Sequence, residues 1–279
     1  MAALDVLIPT FGRPAALAVT LTCLAGQSHP GMRVVISDQS EQAQVETRRE
    51  VTAVRRLLAL RGHETEVHQH VPRRGVAENR SFLLSLARAP RVLFLDDDLM
   101  LDSDLAARLS TALDEERCGF VGSAVIGLSY VNDIRPHEQA IEFWEGPVRP
   151  ETVLPGSPTW ERHRLHNAAN IHHVARRLGI DRARGRKYKV AWVGGCVMYD
   201  RPALLDVGGF DFWPQLPPEH AGEDVLVQLR VMARYGGCGL IPSGAYHQEL
   251  PTTVTDRRFD APRRLTIVEG PGGRPGILD

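Results

Sequence analysis

Val92 Leu93 Phe94 Leu95 Asp96 Asp97 Asp98 Leu99 Met100 is the stretch on which the reading of this 279-residue chain turns. An apolar run that ends abruptly in charge is the pattern of a strand buried on both faces of a parallel sheet. Side chains alternate along a strand, which puts Asp96 and Asp98 on one face and Asp97 on the other. Open α/β sheets take ligands in the crevice at the carboxyl ends of their strands, where this pair falls. Crowded carboxylates repel each other unless a cation intervenes, and hard divalent ions such as Mg²⁺ or Mn²⁺ favour oxygen ligands. The other reading is a solvated acidic turn before a helix starting near Asp102, since Asp is favoured at helix N-termini. These residues alone leave both open.

Working outward, Leu4 to Ile8 reads as a buried strand, Pro9 to Pro14 as the loop that ends it, and Ala15 to Ala25 as a helix with Leu17, Leu21 and Leu24 on one stripe. Val34 to Ile36 is a second strand, followed by a stripe of Val51, Val54, Leu57 and Leu58. Glu64 to Val71 is weakly strand-like, and Ala77 to Ala89 helical. Strands alternating with helices predict an α/β fold whose central, mostly parallel sheet is flanked by helices. Downstream, a helix is expected over Asp102 to Glu116, strands over Phe120 to Leu128, Lys189 to Tyr199 and Cys238 to Ile241, and helical segments over Ala203 to Val207 and Val225 to Arg234. Gly194 and Gly195 mark a bulge or a close approach of backbone.

Tyr130 to Arg186 is different in character, with five histidines, Trp144 and Trp160 and no sustained periodicity. It is expected as long loops with short helices, acting as a lid or as an acceptor wall. The spacing of His137, His163, His166, His172 and His173 matches no closed zinc pattern. One domain is expected over residues 1–261, with a nucleotide-binding half (1–101), an acceptor-side half (102–261) carrying the insert 130–186, and a loosely held tail over 262–279.

Lys plus Arg number 33 against 34 for Asp plus Glu, which argues against a nucleic-acid or membrane-surface footprint. The four cysteines are scattered in apolar settings, as free thiols of a reducing compartment are. No apolar run reaches transmembrane length, and the N-terminus enters the first strand directly, so a cytoplasmic location is expected.

Four ordered stretches resemble the family 2 glycosyltransferases, which have the GT-A fold. They are Ile8 Pro9 Thr10 Phe11 Gly12 Arg13 Pro14; Val35 Ile36 Ser37 Asp38 Gln39 Ser40; Arg74 Gly75 Val76 Ala77 Glu78 Asn79 Arg80 with Phe94 Leu95 Asp96 Asp97 Asp98; and Gly194 Gly195 Cys196 Val197 with Gly208 Gly209 Phe210 Asp211 and Gly222 Glu223 Asp224. The resemblance implies an inverting enzyme that moves sugar from a nucleotide-diphosphate sugar to an acceptor hydroxyl, assisted by Mn²⁺ or Mg²⁺. Asp38 would meet the base, and Asp96 or Asp97 the ribose. Asp98, with Asp96, would hold the metal, and His247 would be an imidazole ligand. Pro9, Thr10, Phe11, Arg13, Arg74 and Asn79 would line the nucleotide, and Trp192, Gly194, Gly195 and Glu223 the acceptor side. Two positions depart from the family pattern, Gly12 where Asn is frequent and Gln39 where Asp or Gly is.

An acceptor hydroxyl that attacks the anomeric carbon must lose its proton, so a carboxylate opposite the leaving group is required. Asp224 stands where the family carries its catalytic Asp. Helix capping explains the same residue without catalysis, as a solvated surface charge explains Arg13 or Arg74, and a structural imidazole explains His247. Two other classes compete. A sugar-1-phosphate nucleotidyltransferase resembles a family with a Gly-richer loop than Pro9 to Arg13, and a non-catalytic carbohydrate-binding protein would need no carboxylates in the working positions.

Overall fold

The computed structural model describes residues 3–254 and 256–267. Three βα units come first: β1 (Leu4–Thr10) and α1 (Pro14–Ala25), then β2 (Met32–Asp38) with α2 (Gln44–Thr47) and α3 (Arg49–Leu60), then β3 (Glu64–Gln69) and α4 (Val76–Leu86). β4 (Arg91–Leu95) and the short β5 (Leu99–Leu101) bracket the acidic triplet, and α5 (Leu105–Glu116) follows. The second half holds β6 (Phe120–Gly122), β7 (Ile126–Gly127), α6 (Asn170–Leu178), β8 (Arg186–Tyr188), β9 (Cys196–Asp200), α7 (Arg201–Asp206), α8 (Glu223–Tyr235), β10 (Gly237–Ile241) and β11 (Ala245–His247).

Eight strands form one sheet in the order β3-β2-β1-β4-β9-β6-β10-β8. β3, β2, β1 and β4 run parallel, as do β6 and β10, while β9 is antiparallel to both its neighbours and β8 closes the far edge antiparallel. The expected mostly parallel sheet flanked by helices is present. Its central strands are apolar throughout because each contributes to two cores. Val6 and Ile8 of β1, Val34 and Ile36 of β2 and Leu93 and Leu95 of β4 pack under α1, α3 and α5. Leu7, Val35, Val92 and Phe94 face the opposite layer with α4 and α8. Alternation within a continuously hydrophobic run is what burial on both faces requires.

Several expected elements change. The run 120–128 is two strands in two sheets, because the chain leaves the main sheet after Gly122 and β7 joins β11 and β5 in a three-stranded sheet. Only Cys196–Asp200 of the span 189–199 is a strand. Val190, Ala191 and Val193 are apolar because they are buried in the core, and the Gln228 side chain replaces a strand partner: its Oε1 accepts from the Val193 amide and its Nε2 donates to the Val193 carbonyl, both at 2.8 Å. The insert carries α6 and several 3₁₀ turns, and its Trp160, Leu165, Ile171 and Val174 join the core beneath Val193. Of the expected tail, residues 262–267 pack on α8, with Arg230 donating to the Thr266 carbonyl at 2.8 and 3.0 Å. The remainder, 268–279, lies outside the described residues. Among the described residues, no helix is long and apolar enough to cross a membrane.

Candidate active site

A cleft of about 690 Å³ opens where β1, β2 and β4 end. Pro9, Thr10 and Phe11 contribute to it from β1, Gln39 from beyond β2 and Asp96, Asp97 and Asp98 from beyond β4. Trp192, Gly194 and the first turn of α8 line it from the second half, together with residues between Leu250 and Asp260.

The acidic triplet is a turn, because β4 stops at Leu95, and the expected alternation of Asp97 away from its neighbours does not hold. All three carboxylates line the cleft with separate partners. Asp97 accepts from Thr10 Oγ1 at 2.6 Å and from Arg13 Nη1 at 3.4 Å, and Asp98 accepts from Arg13 Nη1 at 2.6 Å. Asp96 accepts from Arg80 Nη2 at 3.2 Å. Burial pushes the Asp97 carboxyl up to about 6 against the pull of Thr10 and Arg13. Asp98 is raised too, by burial and then by the charge of Asp96. These groups want a cation, and Arg13 now supplies it while its Nη2 also donates to the Pro251 carbonyl.

α4 starts at Gly75, whose φ of 109° and whose closeness to the Pro218 carbonyl (a Cβ would lie 2.7 Å away) admit only glycine. The helix then brings Asn79 and Arg80 into the cleft. Asn79 Oδ1 is buried without a partner. Arg80 was not singled out from the sequence, although its spacing of three and four residues from the buried Leu83 and Leu84 marks it as facing inward. It joins the two halves of the cleft: besides Asp96, its Nε lies 3.2 Å from Glu223 Oε1. Against the cost of burial, the charges of Glu223 and Asp96 hold Arg80 firmly protonated.

Glu223 and Asp224 form the first turn of α8, whose N-cap is Gly222 in the left-handed conformation and has no side-chain cap. Asp224 is therefore not the N-cap residue, and its Oδ1 accepts from the adjacent Val225 amide at 2.9 Å. Burial and then the neighbouring Glu223 charge push Asp224 up to about 7, with Arg80 opposing, which is the range a general base near neutrality needs. Burial raises Glu223 as well, with Arg80 as its counter-charge.

Gly195 has a φ of 76°, and a Cβ there would sit 3.2 Å from Asp96 Oδ2, so the close approach of backbone inferred for the paired glycines is real at this position. Gly194 and Trp192 line the cleft.

Three residues singled out from the sequence are placed differently from what was expected. Asp38 is 1 % exposed, and its oxygens accept from the Ser40 and Val45 amides at 2.9 and 3.2 Å, so it braces its own loop while Gln39 lines the cleft. Arg74 points to solvent. Its neighbour Arg73 lines the cleft, over the Phe11 ring at 4.1 Å and donating to the Thr253 carbonyl at 3.3 Å. His247 is paired in β11 opposite Leu99, which brings its Nε2 to 3.7 Å from Asp98 Oδ2. Its Nδ1, however, accepts from the Glu249 amide at 2.6 Å, so the neutral ring carries its proton on Nε2. A ligating histidine donates from its second nitrogen, and this one cannot, which makes Nε2 a donor toward the cleft rather than a metal ligand. Among the described residues, no three His, Cys, Asp or Glu side chains are grouped to hold a metal.

No described residue of 130–186 lines the cleft, and the insert reaches it through the side chains packed on Trp192. His163 stacks on Trp192, His173 Nε2 lies 2.8 Å from the Val131 carbonyl, and the half-buried His166 lies 3.0 Å from the Tyr188 hydroxyl, its pKa lowered by desolvation to about 4.

Residues 5–164, more than half of the chain, match the family described as Glycosyl transferase family 2. The chain belongs to that family. No curated protein matches this family 2 glycosyltransferase. Solved structures do. S. aureus TarS is similar at 18 % identity and a TM-score of 0.55, over 88 % of this chain and 36 % of that one. S. aureus TarS 1-349 in complex with UDP-GlcNAc matches at 15 % identity and a TM-score of 0.58, over 91 % and 60 %. The mannosyltransferase PcManGT from Pyrobaculum calidifontis in complex with GDP-Man and Mn²⁺ matches at 16 % identity and a TM-score of 0.50, over 85 % and 56 %. At these identities the likeness is one of fold, the GT-A fold, and the glycosyltransferase spans between about a third and three fifths of those chains.

Proposed function

We propose that this glycosyltransferase binds a nucleoside-diphosphate sugar at the ends of β1, β2 and β4 and transfers the sugar, with inversion, to an acceptor hydroxyl. The observation that carries the reading is the meeting, in one cleft, of the acidic triplet and a raised Asp224 with Arg80 between them. Asp224 takes the proton of the acceptor hydroxyl as its oxygen attacks the anomeric carbon, and the bond from that carbon to the diphosphate oxygen breaks. Attack from the face opposite the leaving group inverts the anomeric centre. Arg13 and Arg73 supply positive charge toward the departing diphosphate, and His247 Nε2 adds a donor.

The oxygen donors of Asp96 and Asp98 suit Mn²⁺ or Mg²⁺, and the guanidinium now lying on Asp98 marks a place where positive charge is wanted. Bound there, such an ion offsets charge on the leaving diphosphate. Uridine and guanosine diphosphate sugars are the donors to try first, since the similar structures hold UDP-GlcNAc and GDP-Man. Residues 1–261 are taken as one catalytic domain, and the four free cysteines favour a cytoplasmic setting.

The test is product analysis. Incubation with nucleotide sugars, Mn²⁺ and acceptors is expected to release nucleoside diphosphate. Pyrophosphate formed from a sugar 1-phosphate and nucleoside triphosphate would assign a nucleotidyltransferase instead, and neither product would leave a binding protein.

A further inference from the structure

The reaction leaves one well-built part of the cleft without a task. Trp192 lines it beside the first turn of α8, and its indole is held from behind by the insert. The His163 ring lies parallel to the indole, at 8° and 4.9 Å, and Trp160 packs against it at 4.5 Å, tilted by 50°. The next residue is fixed as well, since Gln228 bonds both backbone groups of Val193. Two residues after Trp192, Gly194 also lines the cleft, and a Cβ there would meet nothing within 4 Å, so the backbone beside the indole borders open space. A rigid aromatic surface next to open space is pre-organised for a ligand that brings flat apolar area with polar edges.

Charge narrows the class. Trp192 and Gly194 line the same cleft as the carboxylates of Glu223, Asp224 and Asp260, and Arg80 is already engaged by Glu223 and Asp96. An anionic acceptor would meet like charge here, whereas a neutral polyol offers hydroxyls that carboxylates accept. A pyranose has both required features, C–H groups on its ring face and hydroxyls around its rim.

We propose that Trp192 is the platform of the acceptor subsite, that the acceptor sugar is a neutral pyranose, and that His163 and Trp160 are positioning residues that hold the indole. The insert 130–186 is then a buttress for acceptor recognition. The proposal rests on the transferase reading for the word acceptor, but not for the binding itself.

The experiment uses the full chain with UDP and Mn²⁺, titrated with the methyl pyranosides of glucose, galactose, mannose and N-acetylglucosamine, and separately with glycerol 3-phosphate. Binding is read by saturation-transfer NMR. At least one neutral pyranoside is expected to bind with saturation concentrated on ring C–H protons. Trp192→Phe should keep that binding, Trp192→Ala should weaken it at least tenfold, and His163→Ala should weaken it several-fold, with UDP affinity in each variant serving as the control for folding. Binding of none of the pyranosides, preference for glycerol 3-phosphate, or pyranoside affinity unchanged in Trp192→Ala would each overturn the proposal. Pyranoside binding that depends on Trp192 in a protein with no affinity for any nucleotide would leave the platform standing and remove the transferase reading.

Discussion

Residues 4–101 and residues 102–261 share one sheet but are held together by different means. In the first region β1, β2, β3 and β4 form one continuous parallel ladder, with β4 also bordering β9, and the apolar side chains of these strands fill two cores. In the second, strands are two to five residues long and side chains finish the backbone's bonding: Gln228 for Val193, Ser243 Oγ for the Ala124 carbonyl, Arg108 for the carbonyl of Pro242. The same division runs through the cleft. The side proposed for the donor is the edge of a regular sheet, and the side proposed for the acceptor is assembled from a helix start, a glycine pair and a buttressed tryptophan. A regular scaffold suits a diphosphate common to many donors, while irregular, separately braced parts suit an acceptor specific to one enzyme.

That contrast is tested most severely at Asp224. If chemistry belongs to the acceptor side, Asp224→Asn lowers transfer by about a hundredfold to ten-thousandfold while nucleotide affinity stays, as single-turnover assays and calorimetry will read. A near-parent rate would pass the role of base to Glu223, the neighbouring carboxylate in the cleft.

The reciprocal change is Asp98→Asn on the donor side. It should weaken Mn²⁺-dependent nucleotide binding by about tenfold or more, equivalent to roughly 1.4 kcal/mol or more, and leave the fold intact. Equal losses from Asp98→Asn and Asp224→Asn in nucleotide affinity would erase the distinction between the two sides.

Stability against pH sharpens the comparison. Asp97 and Asp224 titrate near 6 and near 7, above the ordinary 3.8, so the folded protein keeps protons that the unfolded chain gives up. Their contribution is present in full below about pH 4 and is lost as pH rises through 6 to 7. Asp224→Asn removes one such loss. Its melting temperature relative to the parent should therefore climb between pH 4 and pH 8, with a ceiling of roughly 4 kcal/mol at about 1.4 kcal/mol per unit. A variant that melts earlier at all pH values would make Asp224 a structural residue. The smallest effect is expected on the donor rim, where Arg73→Ala should cost nucleotide affinity a few-fold and Arg74→Ala nothing measurable, both by calorimetry.

The contrast also explains what could be read in advance. β1, β2 and β4 stand where their apolar runs lie, because burial on both faces leaves a continuous apolar signal however far away the partner strand is. The acidic triplet was placed correctly at a strand end, but the facing of its members was not, since alternation stops with the last ladder bond at Leu95. Asp38 and Arg74 had the right neighbourhood and the wrong side chain: Gln39 and Arg73 reach the cleft, a one-residue difference that loop geometry decides. The run 189–195 looked like a strand because its side chains are buried, and its true partner, Gln228, lies 35 residues away on a helix. Arg80 carried a usable signal, a charge on the buried stripe of a helix. The insert carried little, because its aromatic and histidine contacts to Trp192 depend on tertiary placement alone.

The measurement that tests the central claim most directly is calorimetric titration of the full chain with UDP-GlcNAc and with GDP-mannose, each with and without Mn²⁺, in the parent and in Asp98→Asn. Saturable binding of a nucleotide sugar, tightened by Mn²⁺ and weakened by the substitution, is the result expected of this cleft. Failure of uridine, guanosine and thymidine diphosphate sugars alike to bind in the presence of Mn²⁺, or binding indifferent to both the metal and Asp98, would contradict it.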